Sequence, residues 1–302
     1  ISGTTEINDE GIKKHFDRIE PWEAISELVW NGFDAGATNV RISIEQNGMD
    51  ATEKISILDD GEGIDYLRIK DSFGRFNDSA KKGNLSQHGR HGRGRLAFYR
   101  LCHRAIWYTK NSHGCASVTI SSSNIKKYDG KAGINPDTIP PDLKPLPTGT
   151  SVVLESFSEN LPENGRLRDM LSKELGWYLA LNPKKSLHVN GVCVSSPANT
   201  VTDKNVTAGG YDFLISIIRW HEKPNSEKSY IYLMNSYGII AYKKLSAFNK
   251  KPNFYTSIYI KSSWANSFKG EAADLVTDQE STLDSDVWKK VSWCASAVVE
   301  KV

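Results

Sequence analysis

Residues 27–37 read Glu27-Leu28-Val29-Trp30-Asn31-Gly32-Phe33-Asp34-Ala35-Gly36-Ala37, and this stretch decides what kind of fold follows. From Pro21 to about Gly36, Ile25, Leu28, Val29, Gly32 and Phe33 recur at three- and four-residue intervals and make one stripe, the pattern of a helix packed by one face. Glu27, Asn31 and Asp34 are spaced four and three apart. At about 100° per residue they fall within about 60° of one another, with the apolar stripe centred roughly 170° away. The spacing predicts a helix that lays one face on a sheet and offers carboxylate, amide and carboxylate on the other. An ordinary amphipathic helix with a wetted polar face has the same pattern. The residue types point further. An amide oxygen is a hard ligand for Mg2+, and a carboxylate one turn earlier can orient and deprotonate a water. That pairing suits hydrolysis of a phosphate ester.

Working outward, strands are expected at 39–45 and 54–58, the second running into Asp59-Asp60-Gly61-Glu62-Gly63-Ile64. Asp59 then ends a strand where two glycines turn the chain. A carboxylate there can accept a hydrogen bond from an exocyclic amine such as that of adenine, and absent Cβ atoms let a flat base approach the backbone. A plain Asp/Gly turn has the same composition. Residues 65–88 lack steady periodicity and are expected to be a long mobile segment. Gly89-Arg90-His91-Gly92-Arg93-Gly94 leads into a helical stretch expected at 96–103, where backbone N–H groups and the helix dipole can hold an anion. The Gly run follows a loose segment and not a strand, which argues against a Rossmann fingerprint. Arg90, Arg93, Arg95 and Arg100 either add charge to a phosphate pocket or form a solvated basic strip. Strands are expected at 105–109, 116–121 and, after the Pro-rich 136–147 and the pair Gly149-Thr150, at 151–156. The Thr150 hydroxyl can reach the base that Asp59 holds. A helix is expected at 166–181, broken by Asn182-Pro183.

The 302 residues allow two domains. With 38 basic residues against 36 acidic ones, a net charge of +2 makes no overall field that demands nucleic acid or an anionic membrane. Cys102, Cys115, Cys193 and Cys294 lie far apart with no CxxC or zinc spacing, which suggests a reduced intracellular protein. No apolar run approaches the roughly 18–20 residues of a membrane span, and no leader is visible. A cytoplasmic location is expected, or a nuclear one in a eukaryote. The chain opens with Ile-Ser-Gly and stops in a helical pattern, as a piece of a longer protein would. Beyond Pro183 the character changes, with strands expected at 186–194, 211–220, 229–234, 238–243 and 255–261 and a closing helix near 286–302. This reads as a second α+β unit.

The four motif segments, in this order and at these separations, resemble the N-box, the DxGxG motif, the glycine-rich lid end and the Gly-Thr motif of the GHKL superfamily, whose members share the Bergerat fold. Its members include DNA gyrase B, heat-shock-type chaperones, histidine kinases and MutL. Within it, ELVWNGFDAGATNVRI looks like the MutL N-box, and SFGRFNDSAKKG followed by GRHGRGRLAFYRLCHRAIWYTK looks more like the microrchidia (MORC) ATPases. Sensor histidine kinases usually lack the glutamate that stands here as Glu27, so the chain resembles the hydrolysing branches.

The resemblance implies an α+β chain: a two-layer α/β sandwich ATPase domain over 1–182, with a lid at about 65–94, then a smaller α+β transducer-like domain over 183–302. It implies that Glu27 is the general base for water attack on the γ-phosphate of ATP and that Asn31 coordinates Mg2+. Asp34 would support the N-box network, Asp59 would bind the adenine amine with help from Thr150, and Gly61 and Gly63 would shape the base pocket. Gly89, Gly92 and Gly94, with Arg90, His91 and Arg93 among them, would meet the phosphates, as would Lys81 or Lys82. The transducer cation of the hydrolysing families has Lys261 and Lys269 as candidates. The loop LVTDQES (275–281) resembles the chaperones' catalytic loop but has Gln279 where an arginine is expected. The resemblance further implies ATP and ADP as ligands, an ATP-dependent homodimer and DNA as a partner; the lack of a long apolar run implies no membrane partner. A non-enzymatic ATP-sensing interaction module and a chaperone-like ATPase are the alternatives.

Overall fold

The computed structural model describes residues 2–4, 19–69, 94–223, 229–268 and 285–299. The described residues divide into two compact units, the first taking in 2–4, 19–69, 94–175 and 183–195 and the second 176–182 and the rest. The protein is α+β, as expected from the sequence, with two mixed sheets and three α-helices among the described residues.

In the first unit, helix α1 (Pro21–Asp34) starts where the sequence places it. Pro21 occupies its first turn, and the Glu23 side chain accepts the Glu20 N–H at 2.7 Å, so an otherwise unpaired donor is satisfied. Ala24, Ile25, Leu28, Val29 and Phe33 are buried; each aliphatic side chain removed from water contributes about 2 kcal/mol. Among the described residues this unit's sheet has nine strands: β1 (Ser2–Thr4), β2 (Asn39–Gln46), β3 (Thr52–Asp59), β4 (Cys102–Asn111), β5 (Gly114–Ser121), β6 (Lys127–Ala132), β7 (Gly149–Phe157), β8 (Ser186–Val189) and β9 (Val192–Cys193). Their spatial order is β1-β6-β5-β4-β7-β3-β2-β8-β9. All pairs are antiparallel except β2 with β8. Because side chains alternate along a strand, Ile55, Ile57 and Asp59 share one face of β3, while Leu58 lies on the other. There Leu58 and Cys115 pack with Ile139 and Leu143 of the Pro-rich connection. That connection is thus a covering layer as well as a link.

Three expectations are corrected here. The helical stretch expected at 96–103 is a 3-10 turn, Gly94–Arg100, and β4 begins at Cys102. Phe98 meets Trp107 of β4 edge to face with ring centroids 5.9 Å apart, so pairing with the sheet takes over where helix was expected. The run 186–194 is two short strands joined at Asn190-Gly191, with φ of 47° and 77°. An Asn-Gly pair with both φ values positive is the preferred two-residue hairpin turn. These strands pair with β2 in the first sheet, so the boundary expected after residue 182 falls instead after Ser195, apart from 176–182 themselves.

The second unit is a five-stranded sheet of β10 (Asn199–Ala208), β11 (Tyr211–Trp220), β12 (Tyr230–Met234), β13 (Ile240–Leu245) and β14 (Tyr255–Lys261), ordered β10-β11-β14-β12-β13. Strand β10, like β6, was absent from the sequence expectation: its burial pattern is mostly exposed, so it lacks a clear alternation of apolar residues. The division falls inside helix α2 (Asn164–Leu181), and Trp177, Ala180 and Leu181 pack with Ile218, Trp220, Tyr232 and Tyr259. Helix α3 (Asp286–Val299) covers the other face, placing Trp288, Val291 and Ala295 against Ile215, Ile217, Ile258 and Ile260. No helix among the described residues is long and apolar enough to cross a membrane.

Candidate functional site

On α1 the buried residues are Ala24, Ile25, Ser26, Leu28, Val29, Gly32 and Phe33, while Glu27, Asn31 and Asp34 are half-buried. The polar and apolar faces therefore separate as their spacing requires. Asp59 ends β3 with 7 % of its surface exposed and comes up against the helix at Gly32. A Cβ placed on Gly32 would lie 2.9 Å from the Asp59 Cβ.

Sheet register builds the rest. Asp59 of β3 stands opposite Thr150 of β7, and Thr150 stands opposite Thr109 of β4. Directly opposed residues share a face, so Asp59, Thr150 and Thr109 form one polar row beneath α1, and all three are buried. Asp59 Oδ1 accepts the Gly61 N–H at 2.9 Å. Burial is the largest influence on Asp59 and raises its carboxyl to about 6, against the pull of backbone hydrogen bonds from Gly61 and Thr150 and with a further push from the neighbouring Asp60.

The glycines are where the backbone is closest. Gly63 has φ of 78°, and a Cβ there would lie 2.6 Å from the Lys110 carbonyl oxygen. Gly149 has φ of 151°, and its Cβ would stand 2.2 Å from the Asp59 carbonyl oxygen. Only glycine allows both the left-handed backbone and this approach. At Gly61 the turn returns to the helix end, since Glu62 N–H donates to the Ala35 carbonyl at 2.9 Å.

Asp60 does something different from Asp59. Its Oδ1 accepts the Thr38 and Asn39 N–H groups at 2.7 and 2.8 Å. Its Oδ2 accepts the Thr38 hydroxyl and Asn39 Nδ2, both at 2.7 Å. Burial pushes its pKa up, but these bonds outweigh it and hold the carboxylate below its ordinary range. Lys185 closes the same corner: its Nζ donates to the Ala37 carbonyl at 2.7 Å and lies 5.4 Å from the Phe33 ring centroid. Burial lowers the ammonium pKa, opposed by the charges of Asp60 and Asp34. Sequence reasoning missed Thr109, Asp60 and Lys185 as parts of this site. Asp60 was legible as a second carboxylate in the turn; Thr109 and Lys185 carry no local signal.

Gly94 opens the 3-10 turn Gly94–Arg100. Arg100, counted in the sequence with a basic strip, is engaged in an ion pair with Glu159 and donates to the Ile19 carbonyl at 2.9 Å. Lys261 ends β14 in the second unit and is exposed. Lys81, Lys82, Gly89, Arg90, His91, Gly92, Arg93, Lys269 and Gln279 lie outside the described residues, as does most of the expected lid.

A helix with a split polar face, laid on a mixed sheet over a buried strand-end aspartate and a glycine turn, defines an α/β sandwich of the Bergerat class. Residues 19–147 match the family model described as "Histidine kinase-, DNA gyrase B-, and HSP90-like ATPase". The chain is also similar to the DNA mismatch repair protein MutL of Clostridium botulinum, in both Type A and Type F strains. The identity is 47 % over 53 residues, which is 18 % of this chain. The matched segment is 8 % of the length of those relatives.

Proposed function

We propose that the first unit binds ATP against the Asp59 row and hydrolyses it with Mg2+, using the polar face of α1. The observation that carries this reading is the buried Asp59 carboxylate, set at a strand end between backbones that approach too closely for any Cβ. A buried carboxylate with a raised pKa gains from a donor such as the adenine amine. The residues fit the nucleotide: Asp59 takes the amine, Thr150 stands beside it in the row, and Gly61 and Gly63 leave room for the flat base. Glu27 draws a proton from water for attack on the γ-phosphate, and Asp34 supports the helix end near Lys185. Among the described residues no group of three or more His, Cys, Asp and Glu side chains could hold a metal alone. Asn31 offers a hard amide oxygen to a magnesium ion that the substrate phosphates would otherwise ligate. When bound, Mg2+ supplies positive charge against the phosphate oxygens.

The match of residues 19–147 to that family model supports the same reading. An extension of it is nucleotide-dependent pairing of two chains and work on DNA, supported by the motif resemblance and by the short likeness to a mismatch repair protein. Glu27→Ala is expected to lower turnover by about 100-fold or more while sparing ATP binding, because the base acts on water. Asp59→Asn is expected to weaken ATP binding itself. Calorimetry on the parent chain and both variants, beside a phosphate-release assay, reads both. Absence of binding heat with millimolar ATP and magnesium would sink the proposal, and full turnover in the Glu27 variant would remove that residue from its role.

A further inference from the structure

Among the described residues, the turn that follows Asp59 has no strand paired with its far end. Ile64 closes this turn, and two side chains of β4 take the place of a strand neighbour: Thr109 Oγ1 accepts the Ile64 N–H at 2.7 Å, and Asn111 Nδ2 donates to the Ile64 carbonyl at 2.9 Å. Thr109 and Asn111 are two residues apart on a strand and so stand on one face. An adjacent strand would offer a carbonyl and an N–H to such a residue; here a hydroxyl and an amide do so. The Thr109 hydroxyl also donates to the Gly149 carbonyl at 3.3 Å. One fully buried oxygen therefore joins the end of the turn to the first residue of β7, next to Thr150. The packing leaves little play, since a Cβ on Gly63 would fall 2.9 Å from Thr109 Oγ1.

We infer that Thr109, with Asn111, is a positioning residue for the nucleotide base: it fixes the Gly61–Ile64 turn against β7 and so sets the width of the pocket that Asp59 floors. The inference rests on the nucleotide reading and adds to it a residue outside the four motifs. Its consequence is selective. A slack turn loosens the grip on the base, whereas Glu27 and Asn31 belong to a different element and keep their places.

Thr109→Val keeps the side-chain shape and removes both hydrogen bonds. In the whole chain it is expected to raise KM for ATP about tenfold with kcat changed by no more than about twofold, and Thr109→Ser is expected to return KM to within about twofold of the parent. An unchanged KM in the valine variant overturns the inference. So does a fall in kcat matching the rise in KM, which would mark general damage to the unit. Should Thr109→Val lose the cooperative thermal transition of the parent, Asn111→Ala, which removes one bond from this turn and the bond that Asn111 Oδ1 accepts from the His113 N–H at 2.9 Å, is judged by the same two readouts. A parent chain that binds no ATP overturns both readings; a parent that binds and turns over ATP beside unaffected variants overturns this one alone.

Discussion

Two adjacent carboxylates, Asp59 and Asp60, have opposite fates. Asp60 spends its lone pairs on four donors from Thr38 and Asn39 and is held ionised. Asp59 is buried, with backbone hydrogen bonds from Gly61 and Thr150, and its carboxyl rises to about 6 from an ordinary 3.8. The folded state therefore holds this proton more tightly than the unfolded chain does. The contribution to stability is complete below about pH 4 and is lost as pH rises through about 6. At neutral pH the ionised carboxylate costs the fold on the order of 1–3 kcal/mol. Asp59→Asn removes that titration, so the stability of the variant relative to the parent should grow between pH 4 and pH 7 by this amount. Urea unfolding at the two pH values measures it, and a gap that stays constant with pH would show that Asp59 does not titrate in this window. The side chain proposed to grip the base is thus one that costs the fold stability at neutral pH.

At the scale of elements, the join between α1 and β3 controls the site. Gly32 lets the helix come down onto Asp59, with Val40 Cγ2 as the other close neighbour of a would-be Cβ at 3.2 Å. Gly32→Ala should gain about 1 kcal/mol of helix propensity but overpack this contact at a cost of roughly 1–3 kcal/mol. The expected result is a lower unfolding temperature together with weaker ATP binding, because the helix must back away from the strand end. Calorimetric melting and a nucleotide titration decide it; a variant as stable and as tight-binding as the parent would mean the helix has slack at that point. The chain that leaves this same end of the helix is secured differently. Asp60 bonds the start of β2, and Lys185, from the chain just before β8, holds the Ala37 carbonyl. Sequence-distant segments thereby set the direction in which Glu27, Asn31 and Asp34 are carried.

At the scale of the molecule, the proposed pairing of chains has a direct consequence. With a non-hydrolysable ATP analogue and magnesium at micromolar protein, light scattering should report twice the mass seen without nucleotide, and a strict monomer under those conditions would remove pairing from the proposal. How much of this protein could be read from its residues varies with the range of the interaction involved. Helix α1 and strands β11 and β14 follow from the local alternation of apolar and polar side chains, and the separation of Glu27, Asn31 and Asp34 from the buried stripe follows from 3.6 residues per turn. The Asp59 turn and the Gly149-Thr150 pair are local in the same sense. Strands β6 and β10 were not legible, since their mixed burial leaves no period. The Asn190-Gly191 hairpin was legible by its turn chemistry and still went to the wrong unit, because which sheet a strand joins is settled by pairing with β2, some 150 residues away. The sequence by itself determined the helix faces, the strand-end carboxylate and the glycine turn, all of which depend on neighbours within a few residues. Only the tertiary structure decided that Thr109 and Thr150 lie in register with Asp59, that Asp60 and Lys185 brace the helix end, and that one aspartate is buried while the next is fully bonded. Those outcomes depend on sheet register and desolvation, which are properties of the assembled layers and not of any stretch of chain.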